Sequence, residues 1–287
     1  MTAIQADRLA SLRVEVAIIP FGGSVKPTDV RARTVVLPDL SEQRRIAGVL
    51  DLVAVLHTQR RRSFALLDDL VRSIFFDMFP AATSDAWNRT TVGDLVDDHG
   101  GGIRTGPFGS QLLHSEFVDE GIPVLGIDNV VENRFRWGKA RHITEQKYRE
   151  LRRYTVRPGD VLITIMGTCG RAAVAPDDIP VSINTKHLCC ITLDQSRCLP
   201  PFLHSYFLFH PEARSYLERT AKGAIMSGLN MGIVKALPVR LPPIGLQRQF
   251  VEMVDAVRRY AAVQEAAAKD SAVLLASLHA RAFRGEL

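Results

Sequence analysis

Between Arg134 and Arg157 the chain carries nine Lys or Arg, at 134, 136, 139, 141, 147, 149, 152, 153 and 157, against two acids, Glu145 and Glu150. The excess in this one stretch exceeds the net charge of +5 carried by all 287 residues. Trp137, His142 and Tyr148 are interspersed. Clustered cations with aromatic residues among them are the footprint of a surface that meets phosphates. Reading bases needs more than charge: Arg or Lys can bond guanine with two donors, and Asn or Gln can pair with adenine. Polar side chains in or beside Gly/Ser/Thr-rich loops are placed for that work. They are Arg104, Gln111, Thr168, Arg171, Lys186, His187 and Asn230. With the basic residues Arg134, Arg136, Lys139, Arg141 and Lys222 they form the candidate DNA-binding set.

Catalytic chemistry is harder to find. GGGIRTGPFGS (100–110) is glycine-rich but lacks the GK[ST] ending of a nucleotide-binding loop, and no strong strand feeds it. Its glycines would still let the backbone approach a phosphate closely. Leu199-Pro200-Pro201-Phe202 has the shape of the Asn/Asp-Pro-Pro-aromatic motif of amino-methyltransferases. Leucine, however, stands where an amide or acid must hold the target amine. Asp128 with Glu145-Gln146-Lys147 imitates the Asp…Glu-x-Lys metal site of nucleases, but here Glu145 opens an amphipathic helix rather than sitting on a buried strand. The eight His are scattered. The four cysteines, Cys169, Cys189, Cys190 and Cys198, form no CxxC pair. Their apolar setting predicts reduced side chains in a core strand. No catalytic residue and no metal site is expected.

These residues must be carried by something, and the frame is a repeat. Residues 37–79 and 241–283 match without a gap at a constant offset of 204. Leu37, Pro38, Gln43, Arg44, Asp51, Leu70, Ser73 and Phe79 recur as Leu241, Pro242, Gln247, Arg248, Asp255, Leu274, Ser277 and Phe283. Ile46, Val49, Val53 and Leu56, then Leu67, Leu70 and Ile74, step by three and four. Phe250, Met253, Val257 and Tyr260, then Leu274 and Leu278, do the same after a polar gap at the matching place. Such spacing predicts two long helices, each about 57 Å at 1.5 Å per residue, with one apolar stripe suited to a coiled-coil seam. Ser41 is the expected cap of the first, with Glu42 in its first turn and Pro80 ending it.

Four segments follow: 1–36, a strand-containing tail resembling the stretch before the second helix; 37–80, the first helix; 81–240, a globular domain; and 241–287, the second helix. In the globular domain 123–130 and 158–167 read as strands, and 143–154 and 200–221 as helices. The sum is an α+β fold. A pI of about 9.2 permits nucleic-acid binding. No run approaches the ~18 apolar residues of a membrane span, and the N-terminus lacks the apolar core of a signal peptide, so a cytoplasmic location is expected.

Globular segments ending in LPxL…QR and leading into a long helix, with TGPFGSQL (105–112), GIPVL (121–125), PGDVLIT (158–164) and the ending ARAFRGEL (280–287), resemble the specificity subunits of Type I restriction–modification systems. The resemblance implies two target-recognition domains alternating with two helices that pair as an antiparallel coiled coil. Each domain would read half of a bipartite DNA site, and the helices would fix the spacer. It implies a non-catalytic chain with no cofactor of its own. S-adenosylmethionine would belong to the methyltransferase (modification) subunits it docks, and ATP and Mg to the restriction subunits beyond them. This chain departs from the pattern: one full recognition domain is present and the first is reduced to its tail. One half-site per chain follows, read by a homodimer or completed by a second specificity polypeptide. The rival is a vestigial coiled-coil adaptor that binds partners without sequence-specific DNA binding.

Overall fold

The computed structural model describes residues 39–80, 86–97, 101–222 and 228–284. The tail expected over 1–36 lies outside the described residues. The chain divides into two compact units, residues 1–60 with 269–287 and residues 61–268.

Helix α1 (Leu40–Met78) opens the described chain. Its cap is Asp39, not Ser41. The Asp39 carboxylate accepts from the Glu42 N–H at 2.9 Å and from the Ser41 hydroxyl at 2.6 Å. A carboxylate one residue upstream reaches the third N–H of the helix, and Ser41 is already inside the first turn. The Ser41 bond and then the Glu42 N–H hold the Asp39 carboxyl below its usual range.

The second unit is built in layers. Strands β1 (Asn88–Thr91), β2 (Ile103–Thr105), β3 (Ile122–Leu125) and β4 (His142–Ile143) precede helix α2 (Glu145–Leu151). Strands β5 (Thr155–Val156), β6 (Val161–Thr164), β7 (Ala172–Val174), β8 (Ser182–Asn184) and β9 (Leu188–Ile191) follow. Helices α3 (Pro200–Phe209), α4 (Pro211–Lys222) and α5 (Met231–Lys235), strand β10 (Pro238–Leu241) and the part of helix α6 (Ile244–Arg284) up to residue 268 complete it. One sheet has the order β2-β9-β6-β7, all antiparallel. A second has the order β4-β3-β8-β5, with β3 and β8 parallel.

The first sheet is covered on both faces, and the strand alternation sorts its side chains. Val161, Ile163, Cys189, Ile191 and Ala172 join a core with Phe202, Leu203 and Phe207 of α3. Leu162, Leu188, Cys190 and Ala173 point the other way, to Leu125 and Val156 of the second sheet. That sheet's outer face carries Val124, Ile143 and Ile183 against Leu151 and Tyr154. Cys189 and Cys190 are thus buried core residues, and all four cysteines are free. Burial pushes the Cys189 thiol up to about 12, which leaves it inert.

All four elements read in this domain are shorter than expected: the strand over 158–167 is confined to Val161–Thr164, and the helix over 143–154 to Glu145–Leu151, after strand residue Ile143 and before a 3-10 turn at Arg152–Tyr154. The strand over 123–130 ends at Leu125, where Ile127–Asn129 turns as a 3-10 helix. The helix over 200–221 is broken: His210 is extended (φ −69°, ψ 129°) because Pro211 disfavours the helical region in the residue before it.

β1 follows α1 and β10 precedes α6, and the two pair antiparallel from Asn88–Leu241 to Thr91–Pro238. This ribbon brings the end of α1 to the start of α6. There Phe79 packs on Phe75, Phe202 and Phe250 at centroid distances of 5.2, 5.1 and 5.2 Å, and on Trp87 at 5.8 Å. Gln247, fully buried, sews α6 to the domain. Its Nε2 donates to the Pro242 and Arg197 carbonyls, and its Oε1 accepts from the Leu199 N–H.

The helices carry two apolar stripes rather than one. In α1, Ile46, Val49, Val53, Arg60, Leu67, Val71 and Ile74 are half-buried, whereas Leu52, Leu56, Leu66 and Leu70 are exposed. In α6, Phe250 and Val254 are buried and Val257, Ala261 and Gln264 half-buried, while Met253, Tyr260 and Val263 are exposed. Leu56, Leu70, Met253 and Tyr260 therefore leave the seam expected of them. Apolarity could not choose between two interleaved sets of three-and-four steps. Phe250 packs against the end of α1, and the less exposed set on α6 continues through 254, 257 and 261. No helix among the described residues is long and apolar enough to cross a membrane.

Candidate nucleic-acid interface

The strand registers gather several loops at one end of the two sheets. Thr105, the last residue of β2, faces Cys189, and Thr164, the last of β6, faces Leu188. Leu125 and Asn184, the last residues of the parallel pair β3 and β8, face each other. The chain therefore leaves β2, β3, β6 and β8, and enters β9, on the same side. Hydrogen bonds tie the loops together there: Thr185 N–H to the Leu125 carbonyl (2.9 Å), Ile165 N–H to the His187 carbonyl (2.9 Å), and Leu229 N–H to the Ile165 carbonyl (2.8 Å). Gly106 is required by this crowding, since a Cβ would collide with the carbonyl of Asn184.

Six of the candidate residues belong to this loop cluster. Lys186 and Arg171 are exposed, with no ion pair among the described residues. Thr168 is exposed, and its carbonyl accepts from the Thr164 hydroxyl, which closes the 164–171 turn. His187 is half-buried. Burial first, then the charges of Lys186 and Arg141, hold its imidazole below the usual value, so it is neutral at pH 7. Asn230 caps α5, accepting from the Ile233 N–H at 2.9 Å. Gln111 is exposed, and its Oε1 accepts from the Phe108 N–H (3.1 Å) and the Tyr154 hydroxyl (2.8 Å).

The basic stretch joins the cluster through Asp128. Its carboxylate accepts from the Arg141 guanidinium and from the Lys139 N–H at 2.6 Å. Burial alone would raise the Asp128 carboxyl; Arg141 and Lys139 outweigh it and hold it low. Lys139 is exposed. Arg134 bonds Asp68 of α1 at 3.0 Å, and Arg136 bonds Glu132 at 2.9 Å. Lys222 ends α4, and its side chain lies outside the described residues. Asp128, Glu145 and Lys147 form no common site: Lys147 pairs with Glu116 (2.8 Å) and Glu150 (3.1 Å).

Arg104 stands apart from the loops. It is 10% exposed and pairs with the fully buried Asp160 at 2.5 Å. It also donates to the Thr155 carbonyl and the Thr192 hydroxyl. Asp160 further accepts from the Arg157 N–H, the Thr192 hydroxyl and the Cys190 thiol. This network ties β2, β6 and β9 together. Sequence reading missed Asp160 as its centre, and it missed Asn129 and Asn133, which brace the basic loop. An Asp after Pro-Gly at a strand start, followed by an apolar run, was the available signal.

Comparison with known proteins gives the family. A family model described as the Type I restriction modification DNA specificity domain matches residues 87–268. The chain is similar to the EcoBI specificity subunit of Escherichia coli, at 24% identity over 261 residues, covering 90% of this chain and 52% of that protein. It is similar to the StySPI specificity subunit of Salmonella potsdam, at 23% identity over 290 residues, covering 92% and 60%. The chain thus spans about half the length of the first curated relative. It shares its fold with a chain in a solved structure of a type I R-M system, with a TM-score of 0.56 and 20% identity over 96% of this chain and 68% of that one. Since the family match covers more than half of its residues, the chain belongs to the Type I restriction modification DNA specificity domain family.

Proposed function

We propose that this chain reads duplex DNA for a Type I restriction–modification complex and takes no chemical step itself. The observation that supports the reading is the loop cluster: Lys186 and Arg171, without an ion pair among the described residues, stand with polar turns fixed to strand ends, and the charge of Arg141 is felt at His187. Cations without internal partners are free to neutralise phosphates, and rigid turns hold side chains at fixed depth in a groove. Within this reading Arg171, Lys186, His187, Thr168, Gln111 and Asn230 face the duplex, and Lys139, Arg136 and Arg141 steer it.

Partner binding falls to the long helices. We assign an antiparallel coiled coil to α1 and α6, supported by the meeting of Phe75 and Phe79 with Phe250 and by the half-buried seam. Exposed apolar residues of the helices within the second unit, Leu66, Leu70, Met253 and Tyr260, are what this chain offers to methyltransferase subunits, which bring S-adenosylmethionine. Two chains paired on a two-fold axis, each supplying the recognition domain described here, would read a palindromic split site. The test is the pattern of methylated bases when the chain and its modification subunit are expressed in a methylation-free host. A symmetric split motif is expected. An asymmetric one would show that another polypeptide supplies the second half, and none at all from an assembled complex would favour a pure adaptor.

Lys186→Ala is expected to weaken duplex binding evenly across sequences and to lower the salt slope by about one. His187 gives the pH dependence. Its value is depressed partly by neighbouring cations, and an incoming phosphate opposes that, so its pKa rises in the complex. The complex then binds more protons, and affinity increases as pH falls through the His187 value in the complex and levels off below its value in the free chain. Imidazole resonances followed by NMR with and without duplex check this; an unmoved His187 would place the duplex elsewhere.

A further inference from the structure

The loop between β3 and β4 is long, yet it is locked. Asn129, 3% exposed, accepts from the Gly126 N–H at 2.8 Å and donates to the Arg136 carbonyl at 2.9 Å. Asn133 takes a positive φ of 59°. Its side chain accepts from the Ala172 N–H at 3.3 Å, and its carbonyl lies 3.0 Å from Nε2 of the buried His204. The same Nε2 is 3.0 Å from the Ala172 carbonyl, so it carries the proton. The loop closes where Asp128 binds Lys139 and Arg141, and Gly138 is needed there because a Cβ would strike the Asp128 carboxylate.

What this bracing holds out is a tryptophan. Trp137 is 57% exposed, and its ring meets Phe135 edge-on at 5.3 Å while Phe135 packs on the core below. An indole left more than half in water forgoes much of its burial energy, and its ring contact within the chain is the edge-on one with Phe135. Rigid, exposed aromatic residues are instead characteristic of contact surfaces, because they present large area at low entropic cost. The neighbours choose the partner: Arg136 and Lys139 flank Trp137 in the chain, and the charge of Arg141, which closes the loop on Asp128, is felt at His187. From this we infer that Trp137 packs against duplex DNA, on a deoxyribose or a base face, as an apolar contact between the phosphate-binding cations. The inference rests on the DNA-recognition reading above and adds a residue whose contribution is not electrostatic.

The chain has two tryptophans, Trp87 and Trp137, and Trp87 lies half-buried against Phe79. Intrinsic fluorescence therefore carries two indole signals, and Trp137→Phe separates the exposed one from that of Trp87. Titrating the full chain with a short random-sequence duplex is expected to quench the exposed component, and Trp137→Phe is expected to abolish that change. Heparin, a polyanion without bases, is expected to leave it intact. Trp137→Ala should weaken duplex binding about tenfold, in the range of one aromatic–base contact, with the salt slope unchanged because no counterion is released. Duplex binding without quenching, equal quenching by heparin, or unchanged affinity of Trp137→Ala would each overturn the inference and leave the recognition reading standing. Quenching by the modification subunit alone would overturn it in favour of a protein contact. Failure of the wild-type chain to bind any duplex would overturn both.

Discussion

Arg104→Ala is expected to destabilise the recognition domain by about 3–5 kcal/mol, the cost of removing one partner from a buried ion pair. The pair is well shielded, with Asp160 fully buried and Arg104 only 10% exposed, so solvent does little to soften the loss. The Asp160 carboxylate would keep its bonds from the Arg157 N–H and Thr192 but lose its counter-charge. Thr155 and Thr192 would lose a donor as well. Urea unfolding of the two proteins measures the difference directly. The prediction separates two roles that one residue type allows. A base-reading arginine on a loop would change DNA preference and leave stability within about 0.5 kcal/mol, as surface substitutions usually do. If Arg104→Ala unfolds at the wild-type urea concentration and binds altered sequences, the anchor role is wrong.

That example shows where sequence reading stops. Arg104 lies in a glycine-rich stretch, and type and neighbourhood marked it as a loop cation. It sits instead on β2, opposite Cys190, where the partner that matters is 56 residues away. Local signals did better. The three-and-four spacing located both long helices, and Pro80 marked the end of the first. The Gly- and Pro-bounded apolar run at 158–167 located β6, because its side chains are buried on both faces. Where a tertiary partner decides, the pattern was mute: Ser41 and Asp39 are equally good caps by type, and Leu56 and Val53 are equally apolar. The loop cluster was legible as residues but not as a place. Gln111, Thr168, Lys186 and Asn230 are spread along 120 residues, and only the strand registers bring them to one end.

Phe79→Ala is expected to cost about 3–5 kcal/mol, the usual price of an aromatic removed from a packed core. Phe79 is 1% exposed and touches four aromatic rings from four parts of the chain: Phe75 of α1, Trp87 before β1, Phe202 of α3 and Phe250 of α6. No neighbour can collapse into the hole, because each is itself fixed by other contacts, and edge-on ring pairs lose their geometry as well as their area. Phe79→Leu should cost less than half as much, since a branched side chain refills part of the volume. The functional consequence differs from that of Arg104. The aromatic knot sits where α1 ends, α6 begins and the recognition domain starts, so loosening it frees the domain's orientation on the helices. Under the proposed function, Phe79→Leu should therefore fold, bind a single half-site as wild type does, and lose discrimination between split sites of correct and altered spacer. Binding to duplexes of graded spacer length checks this. Equal loss at half-sites and full sites would mean that the knot supports the domain's fold and has no part in measuring the spacer.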